Sequence, residues 1–352
     1  MAVDRITHIR MKEVSRPLKV FFATSLGGKS MMRSLIVTVI LEGGASGSGE
    51  CPTSAAFPGD TMAAMKLRLA GWARDLKGMP IEGWEDRVRT IRRRHASFPM
   101  AVSGLETALF RAFLNHRGLR EVAWHGGKLR EIETDITIPF IPEDPGLFPW
   151  VDHAVKQGFR IFKIKVSGHV EEDKKFLSAI FGHPGLRTGD FTFRLDGNQG
   201  YTPRSYFQMI DFLEKTGIRT ELFEQPLPAD DYRGLREIRR HSPIPVILDE
   251  TVVGREQLKR VISENLAGGV NIKIAKSGIL ESLDLLAMAK EAGLKLMIGC
   301  MTETMVGLSA GISLAAGTGA FDYIDLDGIY FLHHLKKYGA IEIRPPCFFI
   351  GE

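Results

Sequence analysis

The residues of this chain that could do chemistry recur at regular intervals in its second half. Thr137, Lys165, Asp196, Glu224, Asp249, Lys273, Cys300 and Asp325 lie in the last positions of eight short β-like runs, 24 to 31 residues apart. Asp196, Glu224 and Asp249 end three consecutive runs. A carboxylate is not buried unpaired, because desolvation penalises its charge heavily. Three acids brought to one place therefore call for a cation, and an all-oxygen donor set favours a hard divalent ion, Mg²⁺ or Mn²⁺. Asn198 and Glu250 follow two of these acids closely and are candidate supports for the ligands. Lys163 and Lys165 form a K-x-K whose alternation puts both side chains on one strand face; Lys273 ends a later run. A lysine beside a dication is expected to titrate low enough to act as a base near neutral pH, and its conjugate acid can return the proton. The chemistry implied is removal of the α-proton of a bound carboxylate, with the resulting enediolate stabilised by the metal. One lysine takes the proton and the other delivers one to the opposite face, inverting the carbon.

The spacing is what a strand, a helix and two loops consume, so each step predicts one β/α unit. In a β/α barrel the carboxyl ends of the strands open onto one face, which holds the active site. The expected strands are 134–140, 159–166, 191–196, 219–224, 245–250, 269–274, 295–300 and 323–328. Two of the helical segments between them, SYFQMIDFLEKTG and ESLDLLAMAKEAG, finish on glycine, as helix C-termini often do. Residues 1–130 break the rhythm. Strands are expected at 6–14 and 35–41, with a loop or turn around Gly27-Gly28, and a Gly/Ser/Pro-rich stretch, GGASGSGECPTSAAFPGD, follows. Helices are expected at 61–76, 83–94 and 101–116, the last with Leu105, Ala108, Leu109, Ala112 and Phe113 on one face. These make an α+β unit ending near 130–134. After Gly328 no full unit remains; 339–344 reads as a strand, and the tail is expected to return to the first domain.

Composition excludes several classes. Of the 352 residues, 44% are hydrophobic and 25% charged, as in ordinary globular proteins. No 18-residue apolar run predicts a membrane span. The opening MAVDRITHIRMKEV lacks the basic start and apolar core of a secretory signal. Cys51, Cys300 and Cys347 have no paired spacing, so neither a disulfide framework nor a zinc cluster is expected, and the expected location is the cytoplasm. Net charge is +4. The densest basic run, Arg92-Arg93-Arg94-His95 beside Arg87 and Arg89, reads as a solvated helix face rather than a nucleic-acid surface.

The stretches FKIKVSG, RLDGNQGY, LFEQPL, ILDE and VNIKIAKSG, in that order, resemble the enolase superfamily in its muconate-lactonizing-enzyme subgroup. IGCMTET at 298–304 and DLDG at 325–328 are similar to the dipeptide epimerases of that subgroup. The resemblance implies an α/β fold. A modified TIM barrel, (β/α)7β, spans 131–330 beneath an α+β capping domain over 1–130, to which the tail, about 331–352, returns. It implies Asp196, Glu224 and Asp249 as Mg²⁺ ligands and Lys165 and Lys273 as acid/base groups. Lys163 falls beside the substrate carboxylate, Asp325 and Asp327 on the α-ammonium of a dipeptide, and Thr137 and Cys300 at substrate contacts. Two acids on one face of the eighth strand independently suit an amine. The expected activity is Mg²⁺-dependent dipeptide epimerisation. Other reactions of the subgroup (o-succinylbenzoate synthesis, N-acylamino-acid racemisation, cycloisomerisation) are the alternative, and the DLDG pair argues against them. A Schiff-base aldolase would leave the three acids unexplained. Neither a membrane nor a nucleic-acid partner is expected; a homo-oligomer is compatible with the sequence. Two departures stand out: KSGI replaces a glycine pair, and FFATSLGGKS at 21–30 lacks the arginine-rich form of the Ala-Glu epimerases. Val14 to Leu41 holds Lys19, Lys29 and Arg33 and no acid, so cationic substrate side chains are expected to be disfavoured.

Overall fold

The computed structural model describes residues 4–351 apart from 143, 188 and 334–337; the last four, in the tail, lie outside the described residues. The chain opens with an antiparallel sheet of β1 (Ile6–Thr24), β2 (Gly27–Leu41) and β3 (Ser46–Pro52) in that order. In β2 the alternation of Val37, Val39 and Leu41 buries one face. The Gly27-Gly28 pair does mark a turn, but the segment around it is a long hairpin rather than a loop: β1 and β2 pair from Ile6↔Leu41 to Thr24↔Gly27. Gly27 takes φ 120°, which an L side chain rarely adopts.

Part of the Gly/Ser/Pro-rich stretch is likewise strand, β3. Its glycines permit contact rather than flexibility: a Cβ on Gly47 would lie 2.2 Å from Ala112 N, and one on Gly49 2.0 Å from Gly104 O. Helices α1 (Met62–Leu76), α2 (Trp84–Arg94), α3 (Pro99–His116) and the single turn α4 (Glu121–Trp124) complete this region. α3 is buried on nearly every side, Glu106 and Arg111 included, rather than along one stripe, because it packs between β3 and a barrel helix, α11.

β4 (Glu131–Glu133) leads into the barrel. Its strands are β5 (Ile136–Ile138), β6 (Ile161–Lys165), β7 (Thr192–Asp196), β8 (Leu222–Glu224), β9 (Val246–Leu248), β10 (Gly269–Lys273), β11 (Lys295–Gly299) and β12 (Tyr323–Asp325). They form one parallel sheet in chain order. First and last edges meet where Asp135 N donates to Ile324 O at 3.3 Å and Leu326 N to Thr134 Oγ1 at 2.7 Å. The intervening helices are α5 (Leu147–Lys156), α6 (Val170–Gly182), the turn α7 (Pro184–Arg187), α8 (Pro203–Thr216), α9 (Tyr232–His241), α10 (Arg255–Ser263), α11 (Ile274–Glu291) and α12 (Met305–Thr318). Seven strands are thus followed by helices and the eighth by a short 3-10 turn at Gly328–Phe331, the expected (β/α)7β pattern. Below the mouth the interior is closed by Leu222, Ile247, Met297 and Tyr323. β13 (Ile341–Arg344) and β14 (Cys347–Ile350) pair with each other and with β4. Among the described residues no helix is long and apolar enough to cross a membrane.

Polar contacts join the N-terminal region to the barrel. Glu50 of β3 caps α12, accepting from Thr304 Oγ1 at 2.5 Å, Thr304 N at 3.0 Å and Gly307 N at 3.0 Å. Glu303 is buried beside it and pushed up to about 8, first by burial and then by the Glu50 charge. A carboxyl raised in the folded protein keeps a proton that the unfolded chain has already released. Stability therefore falls as pH rises from the ordinary value of 4.5 to about 8. Glu303→Gln is expected to remove this slope. Its melting temperature in calorimetry should exceed the parent's by about 2 °C or more at pH 8 and match it near pH 5. An equal shift at both pH values would assign the effect to packing instead.

Candidate active site

Strand ends build the site. Lys163 and Lys165 both point into the barrel from β6, as alternation requires. Lys165 Nζ donates to Asp196 Oδ2 at 2.5 Å. Lys163 Nζ donates to Asp325 and stands 3.7 Å from Glu224 Oε2 and 4.0 Å from Asp196 Oδ2. Lys273, from β10, meets Asp249 Oδ2 at 2.6 Å and lies 3.9 Å from Glu224 Oε1. All seven groups are buried. β6 and β10 are four strands apart in an eight-strand barrel, so Lys165 and Lys273 face each other across the mouth.

The second acidic group joins Asp325 and Asp327 to Asp135; each offers a carboxylate oxygen, and these lie within 4.8 Å of one another. Arg194 Nη1 donates to Asp135 Oδ2 at 2.8 Å, Lys163 to Asp325, and Thr137 N to Asp327 Oδ2 at 2.7 Å. Cys300 Sγ lies 3.9 Å from Asp327 Oδ1 and accepts from Gly328 N at 3.3 Å. Asn198, at φ 39°, donates its backbone N–H to Asp196 Oδ1 at 3.0 Å and its Nδ2 to Glu250 Oε1 at 3.4 Å.

Burial pulls the Lys273 ammonium down, but Asp249 and Glu224 outweigh it and hold the group well above the ordinary lysine value. The sequence led us to expect a lowered value beside a dication; here the charges nearest Lys273 are carboxylates, which favour the ammonium form. Asp249 is held below its usual range, since Lys273 and Lys276 overcome the burial that would raise it. Burial, with Asp249 and Asp196 close by, pushes Glu250 up to about 8.

Above these groups opens a cavity of about 570 Å³. Thr137, Lys163, Lys165, Asn198, Asp249, Glu250, Lys273, Cys300 and Asp327 line it; Asp196, Glu224 and Asp325 lie outside that lining, in contact with the lysines. Buried oxygens without a hydrogen-bond partner among the described residues gather at this place: Thr137 Oγ1, Asn198 Oδ1, Glu224 Oε2, Glu250 Oε2 and Asp325 Oδ1. Buried acceptors are normally satisfied, so such a cluster marks where a ligand belongs. The outer wall comes from the N-terminal region: Phe22, Leu26, Lys29 and Arg33 of the β1–β2 hairpin, with Phe57, Asp60 and Met62. The hairpin is fastened to the barrel where Ser25 Oγ donates to Asn198 O at 2.6 Å and Phe22 packs edge-on against Phe331 at 5.1 Å.

Several groups around the site went unread in the sequence. Asn271 Nδ2 donates to Glu224 Oε1 at 2.6 Å, and Lys276 Nζ to both Asp249 Oδ1 and its backbone O at 2.5 Å. Gln225 Oε1 accepts from the backbone N–H groups of Asp249 and Thr251 at 2.9 and 3.1 Å. Asp135, Arg194 and Asn271 each precede a recognised residue by two, so strand alternation carried a signal for them. Lys276 follows Lys273 by three, across a strand-to-helix junction, and neither period exposes it.

The enolase C-terminal domain-like family model matches residues 150–344. The L-Ala-D/L-Glu epimerase of Thermotoga maritima is 31% identical over 330 residues, covering 92% of both chains. The aromatic dipeptide epimerase of Herpetosiphon aurantiacus is 30% identical over 328 residues, 93% of this chain and 91% of that one. A dipeptide epimerase from Enterococcus faecalis V583, solved with Mg and the dipeptide L-Leu-L-Tyr, superimposes with a TM-score of 0.90 at 27% identity, covering 99% of this chain and 98% of that one.

Proposed function

This chain belongs to the enolase superfamily, in the enolase C-terminal domain-like family, and is an isomerase of the epimerase kind; from that premise we propose that it is a Mg²⁺-dependent dipeptide epimerase. It inverts the α-carbon of the second residue by 1,1-proton transfer through an enediolate, with Lys165 and Lys273 as opposed acid/base groups. The observation that carries this reading is two buried lysines on opposite sides of one cavity, whose lining includes buried acceptors with no hydrogen-bond partner among the described residues.

Asp196, Glu224 and Asp249 would hold the cation, with Mn²⁺ as the other ion this oxygen set accepts. Glu224 Oε2, which has no hydrogen-bond partner among the described residues, fits that role. Asp135, Asp325 and Asp327 fit it less well. Asp135 is committed to Arg194, whose guanidinium donates in a fixed planar geometry, whereas a lysine on its flexible stem can release a carboxylate by swinging away. A bound dication supplies the positive charge that the two oxygens of an enediolate require. Lys165 and Lys273 each hold or take the α-proton on one face. Lys163 lies beside the substrate carboxylate; Asp325 and Asp327 receive the α-ammonium; Thr137 and Cys300 touch the substrate; Asn198 and Glu250 steady the ligand set. An α-ammonium suits Asp325 and Asp327 because Arg194 and Lys163 already offset two of the three charges in that cluster.

The side chain of the second residue would meet the outer wall. Among the described residues Lys29 and Arg33 have no ion-pair partner, and burial pulls Lys29 down to about 8. Asp60 stands in the same wall, accepts from Met100 N at the start of α3 at 2.8 Å and is pushed up to about 6 by burial, so it offsets only part of the charge of Lys29 and Arg33. With Phe22, Leu26, Phe57 and Met62 around them, this wall favours acidic and apolar side chains over cationic ones. Incubating an Ala-Xaa library with Mg²⁺ in D₂O and reading mass gain tests the activity and the preference together. Incorporation should be fastest for acidic or apolar Xaa. In Lys29→Met it should fall about tenfold for acidic Xaa, the loss of ~1.4 kcal/mol, and hold for apolar Xaa. Fastest incorporation into Ala-Lys or Ala-Arg overturns the preference; incorporation into no dipeptide overturns the function.

A further inference from the structure

The densest basic run of the sequence is not wholly a solvated face. Arg93 and Arg94 are exposed, but Arg92 turns inward, and its side chain is only 18% exposed. Its Nη2 donates to Glu106 Oε2 at 2.7 Å and to Ser103 Oγ at 3.3 Å, and its Nη1 reaches the carbonyl of Lys276 at 3.5 Å. Glu106, fully buried on α3, uses its other oxygen to accept from Leu280 N at 2.7 Å. Two helices of the N-terminal region therefore grip one short stretch of the barrel, Lys276 to Leu280.

That stretch is where α11 breaks. Gly278 has φ 73° and ψ −174° inside an otherwise helical run. A Cβ there would lie 2.0 Å from Glu106 Oε2 and 2.3 Å from Arg92 Nη2, so carboxylate and guanidinium occupy the space that the bare Cα leaves. The break gives Leu280 an N–H outside the regular helical ladder, and Glu106 satisfies it as a cap would. Just before the break are the groups that engage Asp249: Lys273 Nζ on Oδ2 at 2.6 Å, and Lys276 Nζ on Oδ1 and the backbone O at 2.5 Å. Ser277 Oγ ties the same turn to Val253 O at 2.9 Å. Charge-assisted hydrogen bonds in a dry interior hold a fixed geometry, and proton transfer is sensitive to small misplacements of the base.

We propose that Glu106 and Arg92 are positioning residues for one of the two proton transfers: by fixing the Gly278 break they set the Lys273–Lys276 turn against Asp249. The proposal rests on the reading of Lys273 as an acid/base group. It is one-sided, because the clamp grips the turn that follows β10 while Lys165 stands on β6.

The test uses the full-length chain with Mg²⁺ in D₂O and a dipeptide that the parent epimerises. α-Proton exchange with retention is followed by NMR from each epimer separately, before much inversion has accumulated. In Glu106→Gln, which keeps the shape but turns an acceptor into a donor facing Leu280 N or Arg92, exchange should slow tenfold or more for one epimer. For the other epimer it should stay within threefold of the parent, with KM also within threefold. Arg92→Lys, which keeps a cation beside Glu106, should recover most of the loss seen in Arg92→Gln. Equal slowing of both epimers, or no slowing in a variant that melts like the parent, overturns the proposal. If Glu106→Gln does not fold, Arg92→Gln carries the same reading. A parent that exchanges neither epimer of any dipeptide overturns the proposed function itself, which separates the two failures.

Discussion

Lys273→Ala and Lys165→Ala are each expected to lower epimerisation by about 10²- to 10⁴-fold, the usual contribution of a positioned acid or base. Under the proposed chemistry the two variants should fail differently. Each lysine faces one side of the α-carbon, so each variant keeps the base for one epimer and loses it for the other. Lys273→Ala should retain solvent exchange of the α-proton in one epimer only, and Lys165→Ala in the opposite epimer only. NMR in D₂O reads both without needing product to form. The reasoning is geometric: β6 and β10 are half the barrel apart, and the two ammonium groups engage different acids, Asp196 and Asp249. Each substitution also leaves a buried carboxylate short of a partner, so melting should be measured alongside. Retained epimerisation in either folded variant rules out the two-base scheme, and loss of exchange from both epimers in both variants points to a shared structural cause.

Glu224→Gln should be as damaging by a different route. The change keeps shape and volume and removes the charge from the acid whose Oε2 has no hydrogen-bond partner. If that oxygen belongs to the cation, Mn²⁺ binding followed by paramagnetic resonance should weaken tenfold or more. Epimerisation should fall by about 10³-fold, because the enediolate loses the charge that stabilises it. Chelation should silence the parent reversibly, with Mg²⁺ restoring it. Stability should move the other way. Burial is the main influence raising Glu224, with Asp196 adding to it, so a neutral amide there is better tolerated than the buried charge. A variant that melts no lower than the parent yet binds Mn²⁺ poorly separates a ligand from a packing residue. Unchanged Mn²⁺ affinity would move attention to Asp135, Asp325 and Asp327.

Much of the barrel was legible because its grammar is periodic. Each unit repeats strand, loop, helix and loop, and a strand's last inward residue reaches the mouth whatever surrounds it. Asp196, Glu224 and Lys273 are the final residues of β7, β8 and β10, and Asp249 follows β9 by one. The N-terminal region was less legible. Its Gly/Ser-rich stretch looked like loop because composition alone cannot tell a flexible glycine from one that lets a helix approach, as Gly47 and Gly49 do against α3. Arg92 looked solvated because a basic run gives no sign of which member turns inward.

What the sequence determined by itself was the order of β/α units and which chemical groups stand at their ends, since both depend on local periodicity and on which atoms a side chain carries. What only the tertiary structure decided was the pairing of those groups: Lys163 with Asp325, Lys276 with Asp249, and Glu106 with a backbone N–H 174 residues away. Such contacts come from packing one region against another, and a bond that distant leaves no period in the chain to be read.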